Sequence, residues 1–179
     1  LKQSFSKSNN MKLHIGGKQA KEGWTIFNIQ KMDYVDIVGD IRDLSQFQDE
    51  SLEIIYASHV LEHVSQKEVA ETLRGIHRVL KKEGIFYCSV PNMEVLAKLF
   101  LHEKLNLKQK WHVMRMIFGG QIDENDFHYF GWTLEFAKSF FGSAGFKTIK
   151  CVDSFNLFDD TSNFKPYGVQ ISLNLIAKK

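Results

Sequence analysis

Tyr56-Ala57-Ser58-His59-Val60-Leu61-Glu62-His63-Val64 is the stretch whose reading decides the fold. It follows a short apolar run, Leu52 to Tyr56, and leads into a segment of helical periodicity. A second apolar run, Ile85 to Val90, then stops at Pro91-Asn92. Strand, polar crest, helix, strand and polar crest in this order describe one unit of an open parallel α/β sheet, where ligands sit beyond the carboxyl ends of the strands. The crest concentrates Ser58, His59, Glu62 and His63, so the first candidate site lies here.

Downstream of the crest, Val69, Leu73, Ile76 and Leu80 recur at helical spacing and predict a helix over Gln66 to Leu80. Ser65 and Glu68 read as its capping box. Lys81-Lys82 sit where the helix dipole favours cations, and Gly84 reads as the stop. Upstream, Met11 to Ile15 is a first strand running into Gly16-Gly17-Lys18. Trp24 to Ile29 is a second, and Tyr34 to Val38 a third that closes on Gly39-Asp40. Val95 to Phe118 reads as two helical pieces broken near His102 to Asn106. Thr133 caps a further helix through Gly142, and Phe146 to Asp153 and Val169 to Ala177 are the last strands. Alternating strands and helices predict a mostly parallel sheet covered on both faces. The last two strands, joined through an irregular stretch from Phe155 to Tyr167, are expected to pair antiparallel.

A chain of 179 residues fits one domain. Residues 1–10 are polar and expected to be flexible, and 11–179 to form a single unit with a helical lid insertion at about 93–131. Twenty-three basic against 21 acidic residues leave a net charge of +2, which gives no general attraction for nucleic acid or an anionic membrane. No apolar run approaches the roughly 18 residues of a membrane span, and no signal-peptide pattern opens the chain. Cys88 and Cys151 lie in predicted strands without metal-like spacing. They are expected to be buried reduced thiols, which suits the cytoplasm, with a disulfide as the lesser alternative.

Several ordered motifs resemble the class I S-adenosylmethionine-dependent methyltransferases, closest to the small type 11-like branch. They are Lys12-Leu13-His14-Ile15-Gly16, Gly23-Trp24, Val35-Asp36-Ile37-Val38-Gly39-Asp40, the Tyr56 to His63 run, Arg78-Val79-Leu80-Lys81-Lys82-Glu83-Gly84 and Val90-Pro91-Asn92. Phe118-Gly119-Gly120-Gln121, His128, Gly131 and Ala144-Gly145-Phe146 continue the likeness to the C-terminus. The resemblance implies a Rossmann-like seven-stranded sandwich with an antiparallel last strand and S-adenosylmethionine as cofactor. It implies methyl transfer to a small-molecule acceptor, with a sugar or glycan precursor as one candidate, by a monomer or homodimer.

Carried over residue by residue, the resemblance implies a cofactor loop at Gly16, Gly17 and Lys18, a ribose contact at Gln30, and adenine contacts at Asp40 and Ile41. It puts the methionine end against Ser58 and His59 with Leu61 packed beneath. His63 becomes the candidate general base or substrate ligand, since histidine titrates near neutrality, and His128, Tyr129 and Asn92 face the acceptor. Two positions depart from the pattern. Lys18 stands where glycine is expected, and Gln30 stands where an acidic residue would accept from the ribose hydroxyls, with Asp33 or Asp36 as possible substitutes. These departures support an alternative, a methyltransferase-like binding or regulatory protein that has lost the activity. Each site residue also has a plainer reading: a glycine turn, an exposed Gln30, a turn-forming Asp40, a helix-capping His63. His59 and His63 are four apart but no third ligand lies near them in sequence, so no metal is expected. A nicotinamide cofactor is disfavoured because no G-x-G-x-x-G follows the first strand. The Leu107, Trp111, Met114 and Phe118 stripe is expected to be core or a dimer contact.

Overall fold

The computed structural model describes residues 11–179, so the expectation for residues 1–10 lies outside the described residues. Seven strands form one sheet: β1 (Met11–Ile15), β2 (Thr25–Asn28), β3 (Ile37–Val38), β4 (Leu52–Ser58), β5 (Leu80–Pro91), β6 (Thr148–Val152) and β7 (Ser172–Lys178). Their spatial order is β3-β2-β1-β4-β5-β7-β6. The first five pair parallel, and β7 runs antiparallel between β5 and β6. Strand order reverses between β1 and β4, and a crevice opens at such a switch point because the connections leave the sheet in opposite directions.

Among the described residues four α-helices cover the sheet and its carboxyl edge: α1 (Val69–Val79), α2 (Met93–Leu101), α3 (Leu107–Phe118) and α4 (Leu134–Ser143). The apolar stripe of α1, with Leu73, Ile76 and Val79, joins Leu13, Ile55, Phe86 and Leu175 of the strands and Phe141 of α4 in one buried core. Helix and strand boundaries shift where local chemistry decides. Helix α1 starts at Val69, and Ser65 Oγ donates to Glu68 Oε2 at 2.6 Å, a side-chain link in place of the expected capping box. Strand β5 begins at once after α1, with Gly84 inside it. A Cβ there would stand 2.8 Å from the Lys81 carbonyl oxygen, so this glycine permits a close approach and does not stop the helix.

The cysteines differ from expectation. Cys88 is buried, but Cys151 is exposed on outer strand β6, and both are free. Both register with Leu175, one on each side of β7. Two strand spacings, about 9.6 Å, separate them, beyond the reach of a disulfide.

The two helical pieces expected over Val95 to Phe118 are α2 and α3, which pack together between β5 and α4, and Asn106 and Gln109 complete a capping box at the start of α3. The pair has its own small core of Leu96, Leu99, Val113 and Ile171, separate from the main one. Leu107, Trp111 and Phe118 are exposed, so this part of the expected stripe is not core. The apolar side of α3 that is buried runs through Val113 instead, one helical face away.

Candidate functional site

At the switch point the carboxyl ends of β1 to β4 open into a cavity of about 820 Å³, within the ~300–1,000 Å³ range of small-molecule sites. Gly16 lies at its base with φ +73°, and its N–H donates to the Phe27 carbonyl at 2.8 Å. A Cβ at Gly16 would come within 2.6 Å of Val60 Cγ2. Glycine is needed here both for the dihedral and for the space where the β1 and β4 crests meet. His59 also holds a positive φ, +54°, while its N–H donates to the Ser89 carbonyl at 2.8 Å. A left-handed conformation at a residue with a Cβ costs roughly 1 kcal/mol, and such strain concentrates at functional crests.

Of the residues expected to bind cofactor, Gly16, Lys18, Gln30, Asp40, Ile41, Ser58 and His59 line this cavity. Gly17 and Leu61 do not. Gly17 is buried against the His14 ring and Leu61 is core. Lys18 is exposed and leaves the hollow open. Among the residues expected to face the acceptor, His63 and Tyr129 line the cavity. Asn92 does not; it caps α2, with Oδ1 accepting from Glu94 and Val95 N–H. His128 stands behind His63, ring centroids 4.8 Å apart.

The adenine and ribose positions are held by short-range bonds. Asp40 Oδ1 accepts from the Arg42 backbone N–H at 2.9 Å, and its carboxylate pairs with the Arg42 guanidinium. Burial pushes the Asp40 pKa up, but the Arg42 hydrogen bonds outweigh it and hold the carboxyl below its ordinary value. Asn28, given no role from the sequence, joins two crests: Nδ2 donates to the Gly17 carbonyl at 3.1 Å and Oδ1 accepts from Gln30 N–H at 3.0 Å. Asp36 accepts from Ile26 N–H at 2.7 Å and, like Asp33, is not part of the cavity wall, so neither replaces the missing ribose acid.

The far wall comes from the end of the segment expected as a lid, about 93–131, and from the connection read as irregular, Phe155 to Tyr167. Asp123, Glu124 and Asp126 approach from the α3–α4 connection, and Asp159 and Asp160 from the β6–β7 connection. The Asp159-Asp160 pair was visible in the sequence, but nothing local tied it to a crest some hundred positions earlier. The tie is Tyr56, buried in β4, whose hydroxyl donates to Asp160 Oδ2 at 2.7 Å. Burial and the neighbouring Asp160 carboxylate keep this phenol protonated. Phe158 packs beside it against Tyr56 and His14 at 4.7 and 4.1 Å between ring centroids.

Burial pushes the pKa of His14 down to about 4, with Asp160 pulling weakly the other way. An unfolded chain takes up this proton near pH 6.5 and the folded protein only near 4, so the unfolded state binds more protons between those values. Stability should therefore be full above about pH 6.5 and fall as pH drops towards 4. His77 and His128, also lowered by burial, act in the same direction. Thermal melts from pH 7 to 5 should show Tm falling, and His14→Phe should flatten the fall, since His14 Nδ1 has no hydrogen-bond partner to lose. An identical slope in the variant would exclude His14 as the cause.

Below His63 lies a fully buried carboxylate, Glu62. Its Oε1 is 3.2 Å from His59 Nδ1, yet neither oxygen receives an aligned hydrogen bond. Burial raises its pKa, but His59, His63 and His128 together hold it below the ordinary value. The Glu62 carbonyl accepts from Tyr129 and Phe130 N–H at 2.7 and 3.3 Å, which draws the 127–130 segment onto the crest. One donor atom each from Glu62, His63 and His128 lie within 4.8 Å of one another. The sequence spacing showed only His59 and His63; the third group arrives through the fold.

Among the described residues no helix is long and apolar enough to cross a membrane. Residues 11–88 match a family model described as a methyltransferase domain. No curated protein matches the chain. A solved S-adenosylmethionine-dependent methyltransferase from Archaeoglobus fulgidus is 16% identical, with 97% of this chain and 87% of that one covered at a TM-score of 0.62. The Burkholderia thailandensis 1,6-didemethyltoxoflavin-N1-methyltransferase, solved with its substrate and S-adenosylhomocysteine, is 14% identical, with 94% and 70% covered at a TM-score of 0.59. At these identities the likeness is one of fold.

Proposed function

We propose, from the premise that the chain has the class I methyltransferase fold and a methyltransferase-domain match over residues 11–88, that it binds S-adenosylmethionine and methylates a small-molecule acceptor. The observation that carries this is the convergence of seven of the nine residues expected to bind cofactor, Gly16 through His59, on one cavity. The residues present fit the cofactor. Gly16 lets the backbone of the first crest line the cavity where a Cβ would collide with Val60, and Ser58 keeps a buried hydroxyl without a partner at the wall.

The bound cofactor supplies an electrophilic methyl group on a sulfonium, so the protein's task is alignment more than activation. Asp40 would accept from the adenine amine with Ile41 against the ring, and the Gln30 amide oxygen would accept from the ribose. Carboxylates at Asp123, Glu124, Asp126, Asp159 and Asp160 surround the cavity with negative charge, which favours a ligand carrying a sulfonium and an ammonium. The segment carrying Ile122 and Tyr129 covers one side of the cavity, where it would limit water, and His63 faces the acceptor side.

The second reading, a cofactor-poor binding module, draws on Lys18, Gln30 and the commitment of Asp40 to Arg42. Calorimetric titration with S-adenosylhomocysteine separates the two. Saturable micromolar binding supports the enzyme, and no heat across millimolar ligand supports the module. Asp40→Ala should weaken that binding by about 1.5 kcal/mol, the low end for a charged hydrogen bond because Arg42 already shares the carboxylate. Unchanged affinity would remove Asp40 from the site.

A further inference from the structure

We infer that Glu62, His63 and His128 form a binding site for one divalent transition-metal ion, open towards the cavity. The first ground is the state of the two rings. His63 Nδ1 lies 3.0 Å from the Phe127 carbonyl and His128 Nδ1 lies 3.1 Å from the Met116 carbonyl. A carbonyl oxygen only accepts, so each Nδ1 is the donor there and Nε2 is the nitrogen left over for an ion. Metal-ligating histidines are held in this way, one nitrogen on a backbone carbonyl and the other on the ion.

The second ground is Glu62. A carboxylate with no exposed surface is costly unless paired or coordinated. Glu62 has an ion-pair contact with His59 at 3.2 Å and no aligned donor on either oxygen. A cation between it and the two rings would supply what the protein does not. Bonds of about 2.0–2.2 Å to such an ion would draw the three donors in by roughly 1 Å from their present spread. His59 then completes the surroundings: its Nε2 contacts Ser172 Oγ at 2.9 Å, and Ser172 Oγ in turn donates to the Thr161 carbonyl. That chain fixes the ring that steadies the Glu62 carboxylate, the usual outer-shell arrangement.

Two imidazoles and one carboxylate select zinc, manganese, iron, cobalt or nickel. The absence of a thiolate in the set disfavours copper(I), and the nitrogen donors disfavour calcium and magnesium. Three protein donors leave coordination positions open. Of the three ligands only His63 lines the cavity, so an open position on its side would take water or an oxygen of a bound acceptor. The ion therefore marks the acceptor end of the cavity and favours ligands with a hydroxyl or carboxylate.

This inference does not depend on cofactor binding, and its test is separate. Untagged protein stripped with chelator is titrated with Co²⁺, followed by visible absorption and calorimetry. The expected result is one ion per chain with micromolar or tighter affinity and visible bands of a nitrogen- and oxygen-ligated Co²⁺. His63→Ala and His128→Ala should each weaken it by more than about 100-fold, and His59→Gln by about 10-fold, the low end for an outer-shell change. His63 is only half-buried and lines the cavity, so its variant keeps the test valid if His128→Ala unfolds. Only millimolar binding, or stoichiometric binding that His63→Ala leaves unchanged, overturns the site.

Discussion

A Gly16→Val variant is expected to lose more than about 100-fold in affinity for S-adenosylhomocysteine, or about 2.7 kcal/mol. Two effects combine. A Cβ at this position stands 2.6 Å from Val60 Cγ2, so the β1 and β4 crests must part or the new side chain must turn into the cavity. The backbone also holds φ +73°, which a β-branched residue resists. Gly23→Ala provides the control. Gly23 has a similar φ of +78°, but nothing lies within 4 Å of an added Cβ and it is not part of the cavity wall. The control should lose stability and keep its affinity. If both variants bind alike, Gly16 is only a turn and the cofactor reading of the first crest fails. Calorimetry on the two proteins decides it.

Trp132→Ala should cost about 3–5 kcal/mol of folding stability, read as a lower urea midpoint at unchanged slope. Trp132 is 1% exposed. Its ring lies 4.4 Å from Phe130 and about 6 Å from Phe140 and Phe141, between the loop that reaches the site and helix α4. Its carbonyl accepts from Met93 N–H at 2.9 Å and it bridges to Asn92 at the end of β5. Alanine leaves a cavity at the junction of loop, helix and sheet. Trp132→Phe should cost far less, because the indole nitrogen has no partner to lose. A loss below about 1 kcal/mol for the alanine variant would show that this junction does not support the fold.

The periodic signals carried the architecture. Alternating apolar runs located β1, β4, β5 and β7, and the stripe through Val69, Leu73 and Ile76 located α1. Each signal is local, spaced at two or 3.6 residues, and survives whatever the rest of the chain does. Boundaries were less legible. Helix α1 begins three residues after the expected start, with residues 66–68 forming a turn in which the Ser65 carbonyl accepts from Glu68 and Val69 N–H at 3.0 Å. Of the expected third strand, Tyr34 to Val38, only Ile37 and Val38 pair, since Asp36 turns to the Ile26 N–H. Of the two readings of the α3 stripe, core or dimer contact, the core reading fails over Leu107, Trp111 and Phe118, because helical spacing identifies an apolar face but not whether another element of the same chain covers it.

The site divides along the same line. Its floor was readable because Gly16, Asp40 and Ser58 each end a strand, and a parallel sheet places strand ends together by rule. Its walls were not. Asp123 to Asp126, Asp159 and Asp160 stand on connections without periodicity, and only packing brings them over the cavity. His128 reaches Glu62 because Tyr129 and Phe130 bond the Glu62 carbonyl, a contact across more than 60 residues that no spacing encodes. The amino-acid order by itself determined the sheet, its parallel first half and the crest from Ser58 to His63, since these follow from short-range preferences. Tertiary structure alone decided that the crest's buried carboxylate meets a third imidazole and that the cavity is walled by acids, since such meetings depend on where distant loops come to rest.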